Sequence, residues 1–368
     1  MQDSLFPEDG LPVPKSTPVA GRRAKQQDGS RQGSNASQVL AQPATLDTAD
    51  LAAALPRLMH LGTSSWTFPG WKGLVWDGDY SDAQLSKNGL NAYAQHPLLR
   101  CVSLDRAFYR PLSAQQYAHF AAQVGDGFRF SVKAPALVTD AIVRGESGRS
   151  PRFSQLNPAF LDAGLALQEF VQPALEGLGS KLGALVFQIS PLPAALLADM
   201  PALMQRLATM LHGLPSRDAL RQQAPDAVVA VEVRDPQWLT PEFAAVLRAA
   251  GATYCLGLHA KMPPIEGQLP MLRALWPGPL VCRWSLNRAH GAYGYKDAVQ
   301  RYSPFARLVD EDLDTRSILA RVIIATTQAG HPVYATLNNK AEGSAPLSVV
   351  ALAREVGDQL LRVRMPEE

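Results

Sequence analysis

The stretch "AVVAVEVRDPQWLTPEFAAVLRAAGATYCLGLH", residues 227–259, decides the fold. It opens on the β-branched apolar run "AVVAVEV", of the kind that fills a buried strand, and closes on a second such run, "ATYCLGLH". Between them, "TPEFAAVLRAAG" carries both helix boundary signals, with Thr240 as N-cap, Pro241 in the first turn and Gly251 at the end. Two apolar strands joined by one helix form a βαβ unit, whose strands run parallel.

The unit recurs on both sides of this stretch. Strand-like runs read "HLGTSSW" (60–66), "RCVSLD" (100–105), "FRFSVKA" (128–134) and "LGALVFQI" (182–189) before it, then "PLVCRWS" (279–285) and "PVYATLNN" (332–339) after it. With the two inside it, that gives eight runs separated by helical spacing, and eight βα units can close into a barrel. An open doubly wound sheet would usually carry a Gly-rich phosphate loop after its first strand, and "GTSSWTFPGW" does not fit GxGxxG. The expected fold class is α/β, a single (β/α)8 TIM-type barrel with a disordered N-terminal tail. Residues 1–56 are assigned to the tail and 57–368 to the barrel, because "GRRAKQQDGSRQGSNASQ" has no period and few large apolar residues.

Composition narrows the function. Of 368 residues, 46% are hydrophobic and 18% charged, and the net charge of +2 is too small to make nucleic acid or anionic membrane the main partner. The basic cluster at Arg22, Arg23 and Lys25 leaves nucleic-acid contact open for the tail alone. No apolar window reaches the roughly 18 residues of a membrane span, and "MQDSLFPEDGLPVPK" lacks the build of a secretion signal. Cys101, Cys255 and Cys282 stand apart in apolar runs and read as reduced core residues. The expected compartment is the cytoplasm. Neither a metal motif nor a cofactor motif stands out, so none is assigned.

Side chains alternate along a strand, so parity sorts them by face. Val228, Ala230, Glu232 and Arg234 share one face of the fifth strand, and Arg129, Ser131 and Lys133 one face of the third. The same reading gives Ser103 and Asp105, Val186 and Gln188, and then Thr253, Cys255, Gly257 and His259. It adds Val281 with Arg283, and Tyr334, Thr336 and Asn338, with Asn339 beside them. Polar residues gather at the C-terminal strand ends, where barrel active sites lie. Glu232, Lys133 and Asp105 are the catalytic candidates. Arg234, Asn338, Asn339, His259, Arg283, Gln188, Trp66 and Tyr109 are the substrate-binding candidates, with an aromatic rim that suits a sugar or nucleobase face. Gly343 and Ser344, ahead of the last helix, are candidates for a phosphate or other anion. Blander readings stand beside these. Glu232 and Arg234 could satisfy each other, His259 could be a capped loop histidine, and 343–344 an ordinary helix start. Two segments, 135–155 and 286–311, are long for loops and are expected to be lids or binding loops.

"LGTSSWTFPGWKG", "CVSLD" followed by "FYRPLS", "FRFSVKAP", "LGALVFQIS", "VAVEVRDPQWL" and "YATLNNKAEGSAP" occur in that order. They resemble the successive blocks of the YecE-like proteins, domain of unknown function 72, over about residues 60–355. The resemblance implies a TIM-type barrel and no particular reaction. Its pattern touches Trp66, Phe108, Tyr109, Lys133, Gln188, Glu232, Arg234, Asn338, Asn339 and Gly343. The chain departs from that pattern where V-E-I-N would stand on the second strand, with Ser103 in place of the Glu and Asp105 in place of the Asn. It also stretches the R-x-H-G block, separating Arg283 from His290 and Gly291.

The reading that follows is a metal-independent enzyme acting on a small polar substrate, a sugar or phosphorylated metabolite. Glu232 is its general acid or base, and Glu232 with Asp105 forms a carboxylate pair suited to glycosidic hydrolysis. Two other classes stay open: a module that holds a ligand without turning it over, and nucleic-acid processing.

Overall fold

The alternation of eight strands with helices predicts a barrel, and strand parity explains how its interior fills. In the computed structural model, which describes residues 38–143 and 155–364, eight parallel strands close on themselves in chain order. They are β1 (Met59–Thr63), β2 (Cys101–Leu104), β3 (Arg129–Lys133), β4 (Leu182–Gln188), β5 (Val228–Glu232), β6 (Thr253–Leu258), β7 (Leu280–Trp284) and β8 (Val333–Leu337). Closure is made by β8 against β1, in register from Met59 opposite Val333 to Thr63 opposite Leu337. Ala184, Val186, Ala230, Cys255, Val281 and Tyr334 form their own buried cluster inside the cylinder. Val186, Ala230, Cys255, Val281 and Tyr334 belong to inward-facing sets given by parity, and Ala184 continues the face of Val186 and Gln188. The three cysteines are free and buried.

Helices cover the outside. The helix Pro241–Ala249 shows why: Phe243 N donates to the Thr240 side chain at 3.2 Å, Pro241 occupies the first turn, and Phe243, Ala244 and Leu247 are buried. Full burial of side chains such as Phe243 and Leu247 contributes about 1.5–3 kcal/mol each. Trp71, Trp76, Trp238 and Trp284 are fully buried. None of the described helices is long and apolar enough to cross a membrane.

Two expectations change. The segment assigned to a structureless tail contains the helix Leu46–Ala54, capped by Thr45, and Leu51 Cδ1 lies close to Gly357 in the final helix Ala345–Arg364. Val39 and Leu55 flank this helix and are themselves buried. The helix has no buried residue of its own, so no apolar period announces it. The basic cluster at Arg22, Arg23 and Lys25 lies outside the described residues. In the long segment 286–311, a 3-10 turn at Arg288–His290 is followed by the helix Tyr295–Tyr302. His290 Nε2 is 2.7 Å from the Tyr302 hydroxyl, which donates to Asp310 Oδ2 at 2.7 Å, pinning this segment together.

Candidate functional site

At the C-terminal mouth, β4 and β5 are paired so that Gln188 and Glu232 lie side by side. Glu232 is completely buried. Room for it comes from β6, where Gly257 has no side chain and a Cβ would stand 3.4 Å from Glu232 Cγ. A buried carboxylate must be paired, and this one meets two guanidiniums. Arg283 Nη1 donates to Glu232 Oε2 at 3.0 Å, and Arg234 Nη2 lies 2.6 Å from Oε1 as an ion contact out of line for a hydrogen bond. Gln188 Oε1 accepts from both arginines, at 3.1 Å from Arg234 and 3.2 Å from Arg283. Arg283 then reaches across the mouth, donating from Nη2 to Asp105 Oδ2 at 2.7 Å. Asp105 Oδ1 accepts from Ser103 Oγ at 2.6 Å.

These contacts revise the role expected of the two carboxylates. Burial alone would raise the Glu232 pKa, but Arg234, Arg283 and Lys133 together hold it below the ordinary carboxylate value. Glu232 is thus a fixed anion, not a group poised to gain and lose a proton. Arg283 fills the space between Glu232 and Asp105 by bonding to both. A glycosidase needs its sugar and water between the two carboxyls, and here a guanidinium occupies that position.

Lys133, the last residue of β3, is different. Its Nζ lies 3.5 Å from the centroid of the Phe108 ring, a cation–π contact. Among the described residues it makes no hydrogen bond or ion pair. Burial is the main influence on its amine and Arg283 the next, and together they lower its pKa to about 7 despite Asp105 and Glu232. Such an amine exchanges its proton near neutrality.

His259 and Tyr295 sit beside this network, with ring centroids 5.3 Å apart. His259 Nδ1 accepts from Lys261 N at 3.0 Å, so the capped-loop reading describes it. Burial, with Arg234 next, lowers its pKa to about 3 and keeps the ring neutral. The Tyr295 phenol adjoins the Arg234 guanidinium. Lys340 lies 5.8 Å from the Tyr295 ring centroid, and its Nζ donates to Asn338 Oδ1 at 3.4 Å. Burial lowers the Lys340 pKa to about 8. Tyr109 is exposed on the rim, edge-on to Phe108.

Several expected ligand contacts turn away from the mouth. Trp66 is buried, with its indole N–H on Leu85 O at 3.1 Å, and is a packing residue. Trp71 and Trp76 are likewise core. Asn339 Oδ1 accepts from Trp71 Nε1 at 3.1 Å and Ala345 N at 2.8 Å, so it caps the last helix and braces the loop after β1. The proposed anion position at Gly343 and Ser344 is closed. Both are buried, a Cβ on Gly343 would stand 2.6 Å from Arg307 O, and the neighbouring buried Glu342 is paired with Arg316 at 2.7 Å. The structure thus brings together Glu232, Arg234, Arg283, Gln188, Asp105 and Lys133, with His259 alongside and Asn338 and Tyr109 at the edge. Tyr295 and Lys340 were missed. Tyr295 lies in a segment without period, and Lys340 directly follows the paired asparagines, where a charged residue was an available signal.

A family model described as "Protein of unknown function DUF72" matches residues 60–368. A DUF72 family protein of solved structure from Enterococcus faecalis V583 is 18% identical, the match covering 81% of this chain and 95% of that one at a TM-score of 0.49. Another, from Thermotoga maritima MSB8, is 19% identical over 83% of this chain and 99% of that one, with a TM-score of 0.47. No curated protein matches. Because the family match runs from β1 to the C-terminal helix and includes every mouth residue described above, the chain belongs to the DUF72 family.

Proposed function

We propose that the barrel mouth is the active site of an enzyme acting on a small polar anion, a phosphorylated or carboxylated metabolite, with Lys133 as the group that moves a proton. The observation that carries this reading is the buried Lys133 amine, with no ion-pair or hydrogen-bond partner among the described residues, beside carboxylates already engaged by arginine. Arg234, Arg283 and Lys133 set three positive charges against Glu232 and Asp105, two negative ones. A buried surplus charge is costly. It is relieved when Lys133 releases its proton, or when an anion enters and keeps the proton in place. Arg234, Tyr295 and the neutral His259 adjoin one another beside this network and would supply donors to orient the ligand.

The test is calorimetric titration of sulfate, whose charge is constant near neutrality. Affinity should weaken as pH rises above about 7, by up to roughly tenfold per pH unit. Lys133→Met should remove both the binding and its pH dependence. Sulfate binding of equal strength in wild type and Lys133→Met would refute the reading. A second reading has its own support: the full engagement of both carboxylates by arginine favours a module that holds an anion without converting it. Prolonged incubation with a mixture of phosphorylated and carboxylated metabolites separates the two, since a binder leaves the mixture unchanged.

A further inference from the structure

We propose that Lys133 works covalently, its amine condensing with an aldehyde or ketone carbonyl of the substrate to give a protonated imine. The inference rests on the reading of the mouth as a site for a small anion. It narrows the substrate to an anionic carbonyl compound, a 2-oxo acid or a keto phosphate.

The geometry is that of an amine kept available. A lysine held in a salt bridge has a carboxylate across its approach and its proton fixed in place. At this mouth the carboxylates nearest in charge are already engaged, Asp105 by Ser103 and Arg283, Glu232 by Arg283 and Arg234. One side of Nζ is covered by the Phe108 ring at 3.5 Å. Phe108 itself is buried in the 3-10 turn Asp105–Phe108, directly after β2. The stem of Lys133 is anchored by β3, so the amine has a fixed position and not the sweep of a surface lysine. A desolvated lysine beside another cation is a recognised form of activated nucleophile. With its pKa at about 7, half of this amine is unprotonated at neutrality, against roughly one part in a few thousand for an exposed lysine.

The step balances without an oxidant or reductant. The Nζ lone pair attacks the carbonyl carbon, forming the C–N bond and passing the C=O π pair to oxygen. Counted from the ammonium form, two of its three protons leave on that oxygen as water, and the nitrogen keeps the third as the iminium. One positive charge is present before and after, at the same position over the Phe108 face and beside Asp105 and Glu232. The surroundings that tolerate the ammonium therefore also suit the iminium. Arg234, with Tyr295 beside it, and Lys340 are the cations that would face the substrate's anionic group.

The test is reductive trapping. The full chain is incubated with sodium cyanoborohydride and either pyruvate, dihydroxyacetone phosphate or the uncharged acetone, and adducts are located by peptide mass spectrometry. The two anionic probes should label Lys133 on the order of a thousandfold faster than any exposed lysine, the ratio of their unprotonated fractions, acetone should label it more weakly, and Lys133→Arg should lose that adduct. Labelling spread over exposed lysines, alike in wild type and Lys133→Arg, would overturn the covalent step. If sulfate still binds in that case, the anion site itself stands. Equal trapping of acetone would overturn the anionic class of substrate. Absence of both sulfate binding and trapping would remove the site and this inference together.

Discussion

Replacing Glu232 by glutamine tests whether the Arg234–Glu232–Arg283 bridge holds the mouth together. The change is nearly isosteric, so it removes charge without opening a cavity. Each guanidinium contact, at 2.6 and 3.0 Å, has a gross Coulomb energy of about 5–6 kcal/mol at an effective dielectric constant of about 20. Much of that is offset by the desolvation cost the carboxylate no longer incurs. Removing one partner of a buried ion pair typically costs about 3–5 kcal/mol, because the other charge is left uncompensated. Here two guanidiniums are left, and the amide oxygen still serves one of them, so a loss in that range is expected. The pH dependence gives an internal control. The Glu232 pKa is below its unfolded-state value in the fold, so its contribution is complete above that unfolded value, about 4.3, and fades as pH falls through the lower folded value. The gap between wild type and Glu232→Gln, read from urea unfolding midpoints, should be full at neutral pH and close on acidification. A gap under about 0.5 kcal/mol, or one that is the same at neutral and acid pH, would refute the argument.

Lys133→Met should act in the opposite direction on stability. The folded state holds this amine at about 7 against about 10.4 when unfolded, so the penalty it imposes is full below the folded value and gone above the unfolded one. The methionine variant should gain on the order of 2 kcal/mol at neutral pH while losing sulfate binding, the gain shrinking towards pH 10; a less stable variant in urea would contradict this. Gly343→Ala should lose about 1–3 kcal/mol from backbone strain alone, since φ is +118° and the new Cβ would sit 2.6 Å from Arg307 O and 2.9 Å from Val309 N. An unchanged thermal midpoint would show that the Arg307–Val309 segment yields freely.

What the sequence reveals here tracks the reach of period two. Parity sorted the barrel interior because Ala184, Val186, Ala230, Cys255, Val281 and Tyr334 lie in regular strand where alternation is enforced. It also carried Lys133, Gln188, Glu232 and Arg283 to one mouth, since each lies within a strand in the same sheet. It could not say which charges would pair, because that depends on side-chain reach across strands distant in sequence, as between Asp105 and Arg283. Beyond strand ends the rule lapses. β8 stops at Leu337, and the short helix Asn339–Glu342 turns Asn339 towards Trp71, away from the space near Asn338. Trp66 follows β1 in a loop with no period, where an aromatic residue reads equally as rim or as packing. Tyr295 reaches the mouth only because the segment after β7 folds back over it.

The departure on the second strand gives this mouth its particular charge balance. Ser103 stands where the resemblance places a Glu, and the carboxylate lies two residues on at Asp105, the first residue of the 3-10 turn that follows β2. This carboxylate meets Arg283 at 2.7 Å, and Ser103 donates to its other oxygen at 2.6 Å. Asp105 and Glu232 together commit Arg283 to two carboxylates. An arginine bound on both sides is poorly placed to clamp a ligand or change its charge. On the proposed reading, proton exchange falls to the Lys133 amine, whose state is not fixed by a partner among the described residues. A carboxylate restored at 103 with Asp105 removed should therefore free one arm of Arg283, strengthening sulfate binding and weakening its dependence on the Lys133 proton; unaltered pH dependence in Ser103→Glu/Asp105→Asn would show that Arg283 does not govern the amine.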